Sequence, residues 1–253
     1  AGDRETELAW RSNDTRYTQV DWDELIRRNR MAAGHAVYAL EDRAERLCNL
    51  SANALLTTDV DGRLTLRYGV ALRRENTRSY RQMRDLLGAE YITDIDRFGY
   101  DNTLTARTAL IHAQADYRAD RFRADLSAEL GSGAVSRRGH YEKELFPGAQ
   151  SYGRSRVMRF TPYAFRALAG WAFTPRCYLE AAVQADARMP EVENLFYQPL
   201  YNNRTVDNPV PERTYAAELG WRFTGPVLDL QTTVFAVLTL DGTETRRYYD
   251  DMA

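Results

Sequence analysis

The chain has 253 residues, an apolar fraction of 44%, a charged fraction of 28% and a formal net charge of -2. That composition excludes intrinsic disorder, and the balanced charge, with no basic half, argues against nucleic acid as a partner. No run of about 18 apolar residues occurs, which excludes a conventional transmembrane helix but not a membrane barrel, whose strands hide alternate polar residues in the lumen.

The chain opens with Ala1, Gly2 and Asp3 rather than a signal peptide, which points to export processing or to a segment of a longer chain. A strand is expected at about 6–19, with weak alternation, and a short helical turn in DWDELIRRNR at 21–30. From 47 to 58, Cys48, Leu50, Ala52, Ala54 and Leu56 oppose Asn49, Ser51, Asn53 and Thr57, the period of a two-faced strand. The turn DVDG at 59–62 leads into a partner over 63–74, with Leu64, Leu66, Tyr68, Val70 and Leu72 on one face.

The rhythm repeats three times. Residues 105–117 carry Ala109, Ile111, Ala113, Ala115 and Tyr117 on a face interrupted by Arg107; after Ala119-Asp120, Phe122, Ala124, Leu126, Ala128 and Leu130 alternate with charged and polar residues. Strands at 163–173 and 176–186 flank Thr174-Pro175, and strands at 214–223 and 227–240 flank Gly225-Pro226. Proline suits such turns because it fixes φ and has no N–H to pair. The count is about nine, and lengths of ten or more residues suit a tilted membrane crossing better than a soluble sheet.

Between the pairs lie the polar, aromatic-rich segments 20–46, 75–103, 131–162 and 187–213. Such lengths are unusual inside a compact soluble domain and suit the long loops of one barrel rim. Tyr117, Phe122, Phe173, Trp221 and Phe223 sit beside the short turns, where amphipathic rings mark a membrane interface. Cys48 and Cys177 fall among apolar alternates and are expected as free thiols behaving as small hydrophobes.

Several phrases resemble the β-barrel region of TonB-dependent outer-membrane receptors, especially the Bacteroidetes type with a carboxypeptidase-regulatory-like domain before the plug. They are VDWDELIRRNR at 20–30, LLGAEYITDID at 86–96, GHYEKELFPGAQSYGRS at 139–155, ARMPEVENLFYQPLYNN at 187–203 and NPVPERTYAAELGWRF at 208–223. The last is similar to the receptor pattern in which Asn208-Pro209 and Pro211-Glu212 lead into a strand containing Glu218-Leu219-Gly220. The resemblance implies an all-β fold: 1–253 as a partial receptor barrel, about nine strands of a large 22-stranded antiparallel transmembrane β-barrel, with short periplasmic turns and long extracellular loops. The plug domain and the remaining strands are expected outside this sequence. It further implies a bacterial outer-membrane location and import of a scarce solute (an iron chelate, cobalamin, a glycan or a peptide). The partners implied are the TonB complex, acting through the missing N-terminal part, outer-membrane lipid and lipopolysaccharide, and a surface lipoprotein. An outer-membrane structural or assembly barrel and a soluble β-rich binding domain are the alternatives; Leu64, Leu126, Leu179 and Leu219 facing outward separates the barrel from the latter.

No enzyme, cofactor or metal site is expected. His35, His112 and His140 are scattered, and Asp94 and Asp96, with Asp85 and Glu90, read as a solvated acidic face. Asp21 and Asp23 lack the setting of a catalytic carboxylate pair, no GxSxG nucleophile elbow occurs, and Ser151 has no evident histidine and carboxylate partners. Ligand contacts are expected instead from loop aromatics and arginines at the barrel mouth: Tyr80, Tyr91, Phe98, Tyr100, Arg137, Arg138, Tyr141, Phe146, Tyr152, Phe196, Tyr197, Tyr201 and Arg204. Flat rings with polar tips suit sugars, peptides and chelates, and guanidinium groups suit anions.

Overall fold

The structure, a computed structural model, describes residues 8, 11–12, 21–32, 37–89 and 97–242. It divides into two compact units, the first comprising 1–45 with 79–101 and the second 46–78 with 102–253.

In the first unit, α1 spans Trp22–Met31. Asp21 caps it by accepting the Glu24 N–H at 3.0 Å, and Glu24 pairs with Arg27 and Arg28 at 2.7 and 2.8 Å, the spacing at which helical side chains meet. The fully buried Asn29 organises the surroundings. Its Nδ2 donates to the carbonyl oxygens of Tyr38, Leu86 and Leu87, and its Oδ1 accepts the N–H groups of Val37 and Tyr38. Leu87 holds a φ of 51°, a conformation supported by Asp85, whose Oδ1 accepts the Leu87 N–H at 2.8 Å. A hydrogen bond from Arg11, then that backbone N–H, holds the Asp85 carboxyl below its ordinary value.

The strands are β1 Leu40–Asp59, β2 Leu64–Asp85, β3 Arg97–Arg118, β4 Phe122–Gly139, β5 Gly153–Arg154, β6 Met158–Phe160, β7 Tyr163–Thr174, β8 Cys177–Arg188, β9 Glu212–Thr224 and β10 Asp229–Leu240. The sheet runs β1-β2-β3-β4-β7-β8-β9-β10, with β5 and β6 paired to β4. The pairings from β3 through β10 are antiparallel, and each of the four hairpins closes through a short turn. Local chemistry fixes these turns: Asp59 Oδ1 accepts the Gly62 N–H, Asp61 Oδ1 accepts those of Arg63 and Leu64, and Thr174 Oγ1 accepts those of Arg176 and Cys177. Gly62, at φ 74°, occupies the left-handed region that its missing Cβ permits.

Register carries the two-faced pattern across the second unit. Tyr117, Ala124, Ala169, Ala181, Leu219 and Val234 align in one row. The next row is Asp116, Asp125, Leu168, Ala182, Glu218 and Phe235. Partners in an antiparallel pair share a face and successive residues alternate, so one face is apolar and the other carries the charges. Leu126 and Leu219 on the apolar face are 47% and 52% exposed, while Leu64 and Leu179 are half-buried; none of them joins the buried core. An apolar face left open across many strands is what lipid, rather than water, would cover. At the short-turn end, Phe122 lies 6.1 Å from Tyr117 and 5.8 Å from Trp171, ring centre to ring centre, and Trp221 stacks on Phe223 at 6.4 Å.

Three expectations are corrected. The strand at 6–19 falls mostly outside the described residues, and Leu8 and Arg11, which are described, are helical. The supposed loops 75–103 and 131–162 are in part strand, because β2 continues to Asp85, β3 begins at Arg97 and β4 continues to Gly139. Alternation there is masked by arginine and glycine, while the backbone ladder continues regardless. Finally, β5 and β6 add short strands that no periodicity marks.

The buried core is small and lies where β4 outruns the apolar band. Val135, Met158, Phe160, Leu195 and Phe196 form it, with Leu104, Ala106, Met189 and Val192 against them. Val135 and its partners Ala106 and Met158 belong to the charge-bearing face. The loops after β4 and β8 therefore fold onto the polar side of the wall, where each fully buried large side chain contributes about 1.5–3 kcal/mol.

Candidate functional site: the loop mouth and the polar face

Arg137 sits on the loop end of β4, 2% exposed. Its Nε donates to the Pro199 carbonyl at 2.6 Å, and its Nη1 to the Ser151 carbonyl at 3.1 Å and to Asn203 Oδ1 at 2.6 Å. All of these acceptors are neutral. Burial pulls the guanidinium down to about 10, which still leaves it charged at neutral pH. Asn203 completes the joint: its N–H donates to the Gln150 carbonyl at 2.6 Å and its Nδ2 to the Ala149 carbonyl at 2.9 Å. Ser151, fully buried, donates from Oγ to the Phe146 carbonyl and accepts the Lys143 N–H, so its hydroxyl is a loop tie. Gly139 is needed at this joint, since a Cβ there would collide with the Ser151 carbonyl oxygen.

On this framework the second unit presents exposed aromatics beside cations. Arg204 lies 5.0 Å over the Tyr197 ring and Lys143 Nζ 4.5 Å over the Tyr201 ring, both rings being 40% exposed. Tyr152 is exposed, and Tyr141 and Phe146 are half-buried. Phe196, by contrast, is fully buried in the loop core. Arg138 points to the opposite face from Arg137 and is exposed.

The remaining expected contacts belong to the first unit or lie outside the description. Tyr80 on β2 and Tyr100 on β3 are buried, and Phe98 on β3 has the Arg81 guanidinium 4.5 Å over its ring. These three, with Arg137 and Arg138, stand on strands rather than in loops. Tyr91, Asp94, Asp96, Glu90 and His35 lie outside the described residues. His140 Nε2 and Thr103 Oγ1 are 3.1 Å apart, and His112 faces Gly69 on the polar side of the wall.

That polar side holds charged groups that the sequence did not mark as ligand contacts. Arg67 pairs with Asp116, and Arg123 pairs with Glu180. Arg123 and Arg222 both lie over the Tyr178 ring, at 5.3 and 5.9 Å, and a recess of about 220 Å³ opens among Arg123, Tyr178, Glu180, Arg222 and Gln231. A Cβ at Gly170 would strike the Tyr178 hydroxyl, so the glycine lets the tyrosine lie flat on the wall. Only the pairing register brings residues from β4, β8, β9 and β10 to one patch.

A long-stranded antiparallel wall, apolar on one face, charged on the other and capped by ordered loops at one end, defines a transmembrane β-barrel wall. The sequence model of the TonB dependent receptor-like β-barrel matches residues 2–239, and the chain belongs to that family. This is an outer-membrane barrel family. Among solved structures, the one titled copper transporter OprC is similar at 16% identity and a TM-score of 0.57, over 79% of this chain and 32% of that one. The chain thus spans about a third of that protein's length, and the likeness is one of fold. No curated protein matches the sequence.

Proposed function

We propose that this chain forms part of the wall and external mouth of an outer-membrane receptor that imports a scarce solute with energy passed on by the TonB complex. The observation that carries the reading is the joint centred on Arg137: the loops after β4 and β8 are fastened to the polar face of a lipid-facing wall, with Tyr197, Tyr201, Tyr152 and Arg204 left exposed on them. Ordered loops bearing aromatic rings and cations suit selection of a flat or anionic solute. An iron chelate, cobalamin, a glycan or a peptide fits that chemistry. The charged polar face supports a hydrated lumen in contact with a plug, and the two sheet edges, β1 and β10, support pairing with further strands of a larger barrel.

The test is uptake by cells limited in turn for iron, cobalamin and defined glycans or peptides, with the receptor present or deleted. Loss of one uptake activity on deletion, and a weaker half-saturation for the same solute in the Tyr197→Ala/Tyr201→Ala variant, is the expected result. Unchanged uptake of every solute on deletion removes the importer reading.

A further inference from the structure

We propose that the recess shared by β8, β9 and β10 on the polar face binds a short zwitterionic peptide, its carboxylate on Arg222 and its ammonium on Glu218. Glu218, Gly220 and Arg222 alternate along β9 and so share that face. The two opposite charges therefore stand about 13 Å apart, Cα to Cα, with a bare glycine between them. Register sets Tyr178 of β8 and Gln231 of β10 on either side of Arg222, and Glu180 and Thr233 on either side of Gly220. All of these residues line one recess of about 220 Å³ near the short-turn end of the wall.

The charges of this patch are unequally satisfied. Glu180 already has its partners, since it pairs with Arg123 and accepts the Tyr178 hydroxyl at 3.3 Å. Arg222 lies over the Tyr178 ring, but among the described residues neither Arg222 nor Glu218 meets an opposite charge. A guanidinium with unused donors takes a carboxylate through paired N–H bonds, and a free carboxylate takes an ammonium. Thr233 and Gln231 offer a hydroxyl and an amide to the peptide groups between the two ends. Gly220 keeps the floor open without being demanded by packing: a Cβ there would meet nothing nearer than Thr233 Oγ1 at 3.8 Å, whereas one at Gly170 would strike Tyr178. The size selects the ligand. The recess is smaller than the roughly 300 Å³ at which sites for drug-sized ligands begin, which excludes a macrocycle or a whole chelate. Two or three peptide residues, extending about 3.5 Å each, span the gap that the two long side chains leave.

The inference deepens the importer reading, on which its role in transport rests, by naming a peptide subsite on the wall away from the loop mouth. The whole receptor, purified in detergent, is titrated calorimetrically with trialanine, trialanine amide, N-acetyl-trialanine and the peptide blocked at both ends. Trialanine is expected to bind on the order of tenfold more tightly than either singly blocked peptide, the discrimination of a charge-assisted contact. In Arg222→Gln the preference for the free carboxylate disappears while that for the free amine stays, and in Glu218→Gln the reverse holds. Gly220→Val, whose branched side chain suits a strand, fills the floor and removes binding of every peptide. Absence of trialanine binding by the unaltered receptor, as when a plug covers the recess, overturns the proposal without any variant having to fold. Equal binding of free and blocked peptides overturns it as well. So does binding that survives Arg222→Gln unchanged but is lost in Tyr197→Ala/Tyr201→Ala, which moves the site to the mouth. Uptake is read separately in cells: import of another solute by a receptor that ignores trialanine sinks this inference alone, whereas unchanged uptake on deletion sinks the importer reading.

Discussion

Arg137 Nε donates to the carbonyl oxygen of Pro199 at 2.6 Å across 62 residues of sequence, joining the end of a wall strand to the loop that follows β8. The bond belongs to a set in which one cation satisfies several buried backbone carbonyls without a carboxylate. Desolvation of that cation is offset only by the hydrogen bonds it makes, so the joint depends on geometry rather than on charge neutralisation.

Replacing Arg137 by methionine leaves those carbonyls buried and unpaired. A loss of about 2–4 kcal/mol in the stability of the loop cap is expected. Limited proteolysis should cut within 141–162 and 189–211 while the barrel strands stay resistant. Arg137→Lys should recover little, because an ammonium cannot span acceptors on two loops. The sign of the pH dependence follows from the lowered guanidinium value of about 10. The unfolded chain holds this proton more tightly, so the burial penalty is full below about 10 and is relieved as pH rises further. Cap protection should therefore not vary on account of Arg137 between pH 5 and 9.

Asp85 works in the opposite range. Arg11 and the Leu87 N–H lower its folded value, so its contribution is present above the unfolded value of 3.8 and is lost as pH falls through the folded one. The protection factor of the Leu87 amide, taken against the intrinsic exchange rate at each pH, should fall in acid, and Asp85→Asn should remove most of that acid dependence.

Membrane sidedness of the wall predicts an asymmetry between neighbours. Leu126→Arg, at mid-band on the apolar face, should cost about 2–4 kcal/mol. Ser127→Arg, facing the polar side beside Gln114 and Arg166, should cost far less. Urea unfolding from lipid vesicles measures both; equal costs would contradict the assignment of faces.

At Gly139 the constraint is space rather than φ. Gly139→Ala drives a Cβ into the Ser151 carbonyl, a backbone atom that cannot rotate away, so the β4–β5 contact should open. Loss of protection at the Arg137 and Ser155 amides, with the β3–β4 ladder below Gly131 unchanged, is the expected hydrogen-exchange pattern.

The wall was legible wherever one residue in two was apolar. Leu126, Leu130 and Ile111 announce their strands because lipid exposure demands an unbroken apolar face, and DVDG and Thr174-Pro175 announce turns through their own hydrogen bonding. Legibility failed above the band. There β2, β3 and β4 continue through Arg78, Tyr80, Tyr100 and Arg137, since neither face meets hydrocarbon and the ladder needs no particular side chain. The same limit applies to the mouth. Tyr197 and Phe196 are adjacent aromatics in one phrase, yet one is exposed beneath Arg204 and the other fully buried against Val135.

What the sequence determined by itself is the local term: alternation, turn chemistry and the family pattern, each set by neighbours within a few residues. What only the tertiary structure decided is pairing across long separations. Arg137 with Pro199, Arg123 with Glu180, and Tyr178 in one row with Arg222 and Gln231 depend on strand register and loop closure. A shift of one residue in register would move every one of these groups to the other face.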